Sequence, residues 1–160
     1  MGDAGPELKP LERGQLWLMR IRAAIFAALM LGAGAVGETI LQRETSLPMG
    51  IVLLPLLLPL LYLVLVAPGR RYRAWAYGMD AEELHVRRGV LTRMHTVVPL
   101  DRIQHIDVSQ GPLERGLGLT RLVLHTAGTL HSQVMIPGLA RETSERMRDE
   151  IRARIRQEQA

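Results

Sequence analysis

The sequence predicts two membrane-spanning helices followed by a small antiparallel β domain closed by a C-terminal helix. Three observations carry this. Thr45 to Gly69 is a run of 25 residues with no formally charged side chain. Beyond it the chain carries 15 arginines and 11 acids, and its apolar residues alternate with a period of two. From Leu139 onward the apolar residues recur every four positions instead, the spacing of a helix face. The mean hydropathy of +0.08 averages over two segments suited to different solvents.

The charge-free run "TSLPMGIVLLPLLLPLLYLVLVAPG" would extend about 37 Å as a helix, at ~1.5 Å per residue. The hydrocarbon core of a bilayer is about 30 Å thick. This predicts a spanning helix over about 46–68, begun near Pro48 and kinked at Pro55 and Pro59. Upstream, Ala23 to Gly37 is uncharged over only 15 residues. It spans if Leu18 to Leu41 is recruited, with Arg20 and Arg22 reaching one interface and Glu38 the other. Ala24, Ala28 and Gly32 then form a small face suited to close helix packing.

Orientation follows from the arginines. Lys9, Arg13, Arg20 and Arg22 flank the first span, and Arg70, Arg71 and Arg73 follow the second. The short loop between the spans is not basic. The positive-inside rule therefore places both termini in the cytosol. The expected division is an N-terminal tail over 1–17, a hairpin over 18–69 and a cytosolic domain over 70–160.

Two motifs are decoys. "GAGAVG", Gly32 to Gly37, fits the dinucleotide pattern G-x-G-x-x-G, but membrane-like sequence flanks it and no acid lies between Glu44 and Asp80. "AGA" at Ala33 to Ala35 resembles a signal-peptide cleavage site, but the 22 residues ahead of the apolar stretch are long for an n-region. There is no cysteine, which excludes disulfide scaffolds, thiolate zinc sites and cysteine nucleophiles.

The β domain reads as six strands. From Arg70 the period becomes two, and "RYRAWAYGM" alternates Tyr72, Ala74 and Ala76 with Arg73, Trp75 and Tyr77. "ELHVRRG" sets Leu84 and Val86 on one face, with Asp80 to Glu82 as the turn before it and Gly89 as the turn after. "VLTRMHTVVPL" is the third strand, and Ile106 and Val108 mark a fourth. "LTRLVLHTAG" and "HSQVMIP" form a hairpin around Gly128, ended by Pro137-Gly138. Between them Pro112 starts a short helical turn, with Leu113 and Leu117 expected inward. A helix over about 139–157 follows, its narrow stripe made of Leu139, Thr143, Met147, Ile151 and Ile155.

Asp101, His105, Asp107, Ser109 and Glu114 crowd one stretch, the raw materials of a hydrolase. His105, Asp107 and Ser109 share a strand face, but i and i+2 positions lie roughly 6.5–7 Å apart. A nucleophile and its base need about 3 Å. The nucleophile-elbow pattern G-x-S-x-G is missing around Ser109. His85, His95, His105 and His125 sit on separate strands without ligand spacing. The reading is no catalytic residue, no metal and no cofactor.

The segment "VPLDRIQHIDVSQGPLERGLGLTRLVLHTAG", Val98 to Gly128, resembles the signature of the YdbS-like bacterial PH-domain membrane proteins. The layout of two membrane helices before one domain is similar too. The resemblance implies a PH-like antiparallel β-barrel or bent sheet capped by a C-terminal helix. It implies no catalysis and a membrane-protein partner, one carrying several such domains. A PH-like barrel has seven strands, one more than the pattern provides.

Phosphoinositide-binding PH domains cluster basic residues in their first hairpin loop; here that turn, "GMDAEE", is acidic. The candidate membrane-surface contacts are Arg70, Arg71 and Arg73. The candidate partner or lipid patch is Arg87, Arg88 and Arg93. The favoured function is a membrane-anchored, non-enzymatic interaction or scaffold module, working with a partner membrane protein or as a homo-oligomer. The alternative is a module that senses lipid or binds anionic membrane. An accessory subunit of a transporter or membrane enzyme is a third reading, against which the charge-free span interiors argue. Acids offset the basic charge, so nucleic acid is not a partner.

Overall fold

A computed structural model describes residues 6–45, 48–127 and 133–158. The chain forms two compact units. One comprises residues 16–70. The other combines the N-terminal segment up to Gln15 with everything from Arg71 onward.

The first unit is a helical hairpin. Helix α1 runs Arg13–Glu44, α2 Leu53–Leu65 and α3 Ala67–Arg73, the last crossing into the second unit. Pro68 has no N–H to give Val64, which is why the helix is interrupted at Val66. The Arg70 amide still reaches the Val66 carbonyl at 3.2 Å, so the chain stays helical to Arg73. The strand expected from the period-two pattern is present over Ala76–Met79, and the residues up to Arg73 are helical instead. Tyr72 and Trp75 are three apart, and both pack on the core of the β domain.

Apolar side chains cover the outside of the hairpin. Ile25, Phe26, Leu29, Val36, Leu54, Leu58, Leu61 and Leu65 are all exposed. A helix apolar on its outer face fits hydrocarbon rather than water. The packed face is not the one expected from Ala24, Ala28 and Gly32. Ala24 and Ala28 are exposed, and a Cβ on Gly32 would meet nothing within 4 Å. Ala27, Gly34 and Glu38 are buried instead. A Cβ on Gly34 would come within 3.1 Å of Leu56 and 3.2 Å of Leu53, so glycine there permits close approach.

Among the described residues, the second unit contains seven strands in two antiparallel sheets. One sheet orders β1 (Lys9–Pro10), β2 (Ala76–Met79), β3 (Glu83–Arg88) and β4 (Met94–Pro99). The other orders β5 (Ile103–Ser109), β6 (Leu119–Thr126) and β7 (Gln133–Ala140). Among the described residues the sheets do not close into one barrel. The strand missing from the sequence reading is β1, in the segment taken as a tail. Leu11 follows it into the core, and the Tyr72 hydroxyl donates to the Leu11 carbonyl at 2.7 Å.

Gln133 to Ala140 forms one strand, so Pro137-Gly138 does not end it. Leu122 pairs with Ile136 and Thr120 with Leu139, leaving two β7 residues opposite one on β6. This bulge takes a proline without an N–H and a glycine at φ 65°. The turn around Gly128 lies outside the described residues.

The core joins both sheets through Leu84, Val86, Val98, Ile103, Ile106, Leu122, Leu124 and Ile136. Helix α5, Arg141–Glu158, covers it with Met147 and Ile151. Leu139, expected on the helix, is buried in β7. Ser144, wholly buried, donates to the Arg141 carbonyl at 2.8 Å and accepts the Thr120 hydroxyl at 2.9 Å, which fixes the helix to β6. The short helix α4, Pro112–Gly116, starts at Pro112 as expected. Its buried residue is Glu114, 4% exposed, while Leu113 is 39% exposed. The Glu114 carboxylate turns inward because it pairs with Arg121 on β6.

Candidate functional site

The signature strand β5 is an edge. It pairs with β6 on one side only, among the described residues. Register along it shifts at Gln104, since Ile103 faces Thr126 and His105 faces His125. That bulge leaves Gln104 and His105 exposed, while Ile103 and Ile106 enter the core. Alongside lies a groove of about 660 Å³ between β5 and α5. Ile103, Ile106 and Ile155 give it an apolar floor; Asp101, Arg152 and Arg156 line its polar parts.

On the outer face Asp107 bridges two histidines. Its Oδ1 lies 2.8 Å from His105 Nε2 and its Oδ2 3.3 Å from His125 Nε2. Spacing along one strand did not show this contact, because the side chains lean together and β6 supplies the second ring. Ser109 faces Arg121 across the ladder, and no Ser109 side-chain hydrogen bond occurs among the described residues. The cluster is open to solvent. It ties β5 to β6 across the ladder.

A second cluster sits at the β2–β3 turn. Asp80 Oδ1 accepts the amides of Glu82 at 2.9 Å and Glu83 at 2.7 Å. These two bonds hold the Asp80 carboxyl below its ordinary range. His85 Nε2 lies 3.3 Å from Asp80 Oδ2 and 3.4 Å from Glu83 Oε2, and its Nδ1 lies 3.2 Å from His95 Nε2. Asp80, Glu83 and His85 are the residues whose donor atoms are grouped closely enough to share a cation, among the described residues. The alternation of β3 and β4 faces brings His85 and His95 together, which the sequence left as separate histidines.

The arginines fall in two places. Arg70, Arg71 and Arg73 occupy the end of α3, exposed, with Arg70 Nη1 donating to the Tyr62 hydroxyl at 3.4 Å. Trp17, 5.4 Å from the Arg20 guanidinium, gives α1 a comparable aromatic and basic pair. Arg87 and Arg88 end β3, and Arg93 stands just before β4. Arg87 and Arg93 are exposed; Arg88 lines a separate cleft with Met94 and Met135. The three are joined by one turn and do not share one face. Sequence reasoning passed over the apolar residues of that turn, Val90 and Leu91.

The family model for the bacterial PH domain matches residues 21–155, and the chain belongs to that family. With its apolar hairpin, it is a membrane protein carrying a bacterial PH domain. Over 88 residues it is 36% identical to the UPF0699 transmembrane protein YdbS of Bacillus subtilis, covering 55% of this chain and 54% of that protein. The chain thus spans about half the length of the curated relative it matches. No solved structure matches.

Proposed function

We propose that the protein is a membrane-anchored, non-enzymatic interaction module, whose PH-like domain presents β5 to a partner membrane protein. The observation that carries this is the open edge of β5 beside a groove with an apolar floor. An edge strand offers backbone donors and acceptors to an added strand, and side-chain pockets beside it supply selectivity. Gln104 and His105 lie on that edge with the charged rim of the groove next to them.

The proposed setting is a bacterial inner membrane, with both termini in the cytosol. The pairing of β1 with β2 supports the hairpin topology. β1 precedes α1 and β2 follows α3, so two crossings return the chain to the side it left. The basic residues at both ends of the hairpin favour the cytosolic side.

The test is site-directed photo-cross-linking in native membranes. A photoreactive residue at Gln104 is compared with one at Glu142, which is exposed on α5 away from the groove-lining residues. The proposal expects a single protein captured from Gln104 and not from Glu142. A second copy of this chain would make the partner a homo-oligomer. Capture of lipid alone at both positions would overturn the partner role.

A further inference from the structure

The β3–β4 turn exposes large apolar side chains between arginines. Leu91 is 94% exposed at its apex, beside Val90 at 37% and Met94 at 44%. A large apolar side chain so exposed gains nothing from the fold itself. Around this apex the charges have one sign. Arg87, Arg88 and Arg93 surround it, and no acid occurs between Glu83 and Asp101. The nearest acids of the hairpin, Glu82 and Glu83, lie at the far end of β3. Arg88 is five residue steps along the strand from Glu83, roughly 17 Å at ~3.3 Å per residue. The hairpin is therefore polarised, acidic at one end and apolar with positive flanks at the other.

The backbone holds the apex out. Gly89 has φ 104°, and a Cβ there would collide with the Thr92 carbonyl. Only glycine fits that position comfortably, so the turn is tight and Val90-Leu91 projects between the strands' ends.

We infer that Val90 and Leu91 insert into the headgroup boundary of an anionic bilayer, with Arg87 and Arg93 neutralised by lipid phosphates. Apolar side chains flanked by arginine match the two layers of such an interface: acyl chain below, negative charge above. The charge selects anionic lipid as a class and no particular headgroup. This surface is separate from the β5 edge, so the inference does not depend on the partner reading.

The natural chain has no cysteine, so one engineered thiol reports one position. Val90→Cys in the full-length protein carries an environment-sensitive fluorophore. The protein is reconstituted into vesicles of phosphatidylcholine alone, or of phosphatidylcholine mixed with phosphatidylglycerol. The expected result in the mixed vesicles is a blue-shifted emission, quenched by lipids spin-labelled near the headgroup. Both signals should fall severalfold in phosphatidylcholine alone, and with Arg87→Gln and Arg93→Gln combined. Leu91→Asp should remove them. Emission that stays water-like and open to an aqueous quencher in both vesicles overturns the inference. So does a blue shift that appears only when native membrane proteins are added, since that would assign the tip to a protein partner.

Discussion

The Glu38 carboxylate accepts the backbone amide of Gly50, twelve residues further along the chain. Its other oxygen lies 3.3 Å from the Leu53 amide, at the first residue of α2. Glu38 is 5% exposed, and α2 has no side-chain cap of its own at Val52. An acid of α1 thus satisfies amides that a helix start leaves unpaired. The cost of leaving them bare is higher where water is scarce.

Glu38→Ala should therefore weaken the hairpin by about 1–3 kcal/mol, the usual cost of stranding buried donors. Glu38→Gln keeps an acceptor oxygen and should lose less. Unfolding of the detergent-solubilised protein, followed by circular dichroism, measures both. Equal stability of Glu38→Ala and the parent protein would remove the capping role.

The Glu114–Arg121 pair secures α4 to β6. Arg121 is partly exposed, so the pair is worth less than a fully buried one. Glu114→Ala should cost roughly 1.5–3 kcal/mol, the range for hydrogen bonds to charged groups. Leu113→Ala, on the exposed neighbour, should cost well under 1 kcal/mol, as surface substitutions usually do. Denaturant titration of the two variants would reverse this order if the sequence expectation of an inward Leu113 were correct.

The N-terminal segment is clipped to the domain by glycines. A Cβ on Gly78 would come within 2.9 Å of the Glu7 carbonyl, and one on Gly138 within 2.5 Å of the Gln15 side chain. Gly78→Ala should loosen β1 selectively, raising amide exchange over residues 9–12 while β6 stays protected. Tyr72→Phe deletes the hydrogen bond to Leu11 and should cost about 1 kcal/mol. Unchanged exchange in Gly78→Ala would argue that β1 contributes nothing to the fold.

Asp80 gives a sign for acid sensitivity. Its folded pKa is lowered, chiefly by the Glu82 and Glu83 amides. The ionised form is thus favoured in the fold. Its contribution is present above the unfolded value of about 3.9, and is lost as pH falls from there through the lower folded value. Asp80→Asn keeps an acceptor but cannot titrate. Its melting temperature should fall less than the parent's below about pH 4. Parallel curves would assign the acid response to other carboxylates.

Much of the fold was legible because periodicity reports burial. Leu84 and Val86, then Met147 and Ile151, point where their spacing says, and the long uncharged runs mark both spans. What stayed hidden depends on partners distant in sequence. β1 is two residues long and has no alternation to read; only Tyr77 and Ala76 across the ladder reveal it. Glu114 is buried because Arg121 waits seven residues later on another element. Arg71 to Arg73 reads as part of the first strand because Tyr72, Ala74 and Ala76 recur at every second position, whereas the helix runs to Arg73 and the strand begins at Ala76. The histidines paired through strand register, which composition does not fix. Leu91 was readable as an apolar residue in a turn between arginines, but its meaning needs its exposure.

The central claim is that the hairpin anchors the domain and returns the chain to its starting side. A cysteine is placed in turn at Glu7, Pro48 and Gln157 of the cysteine-free protein. Each is treated with a membrane-impermeant maleimide before and after opening the inner membrane. The account predicts that Pro48→Cys alone reacts in sealed cells, and that Glu7→Cys and Gln157→Cys react only after opening. Reaction of Glu7→Cys and Gln157→Cys from opposite sides would contradict the two-crossing hairpin and the β1–β2 pairing with it.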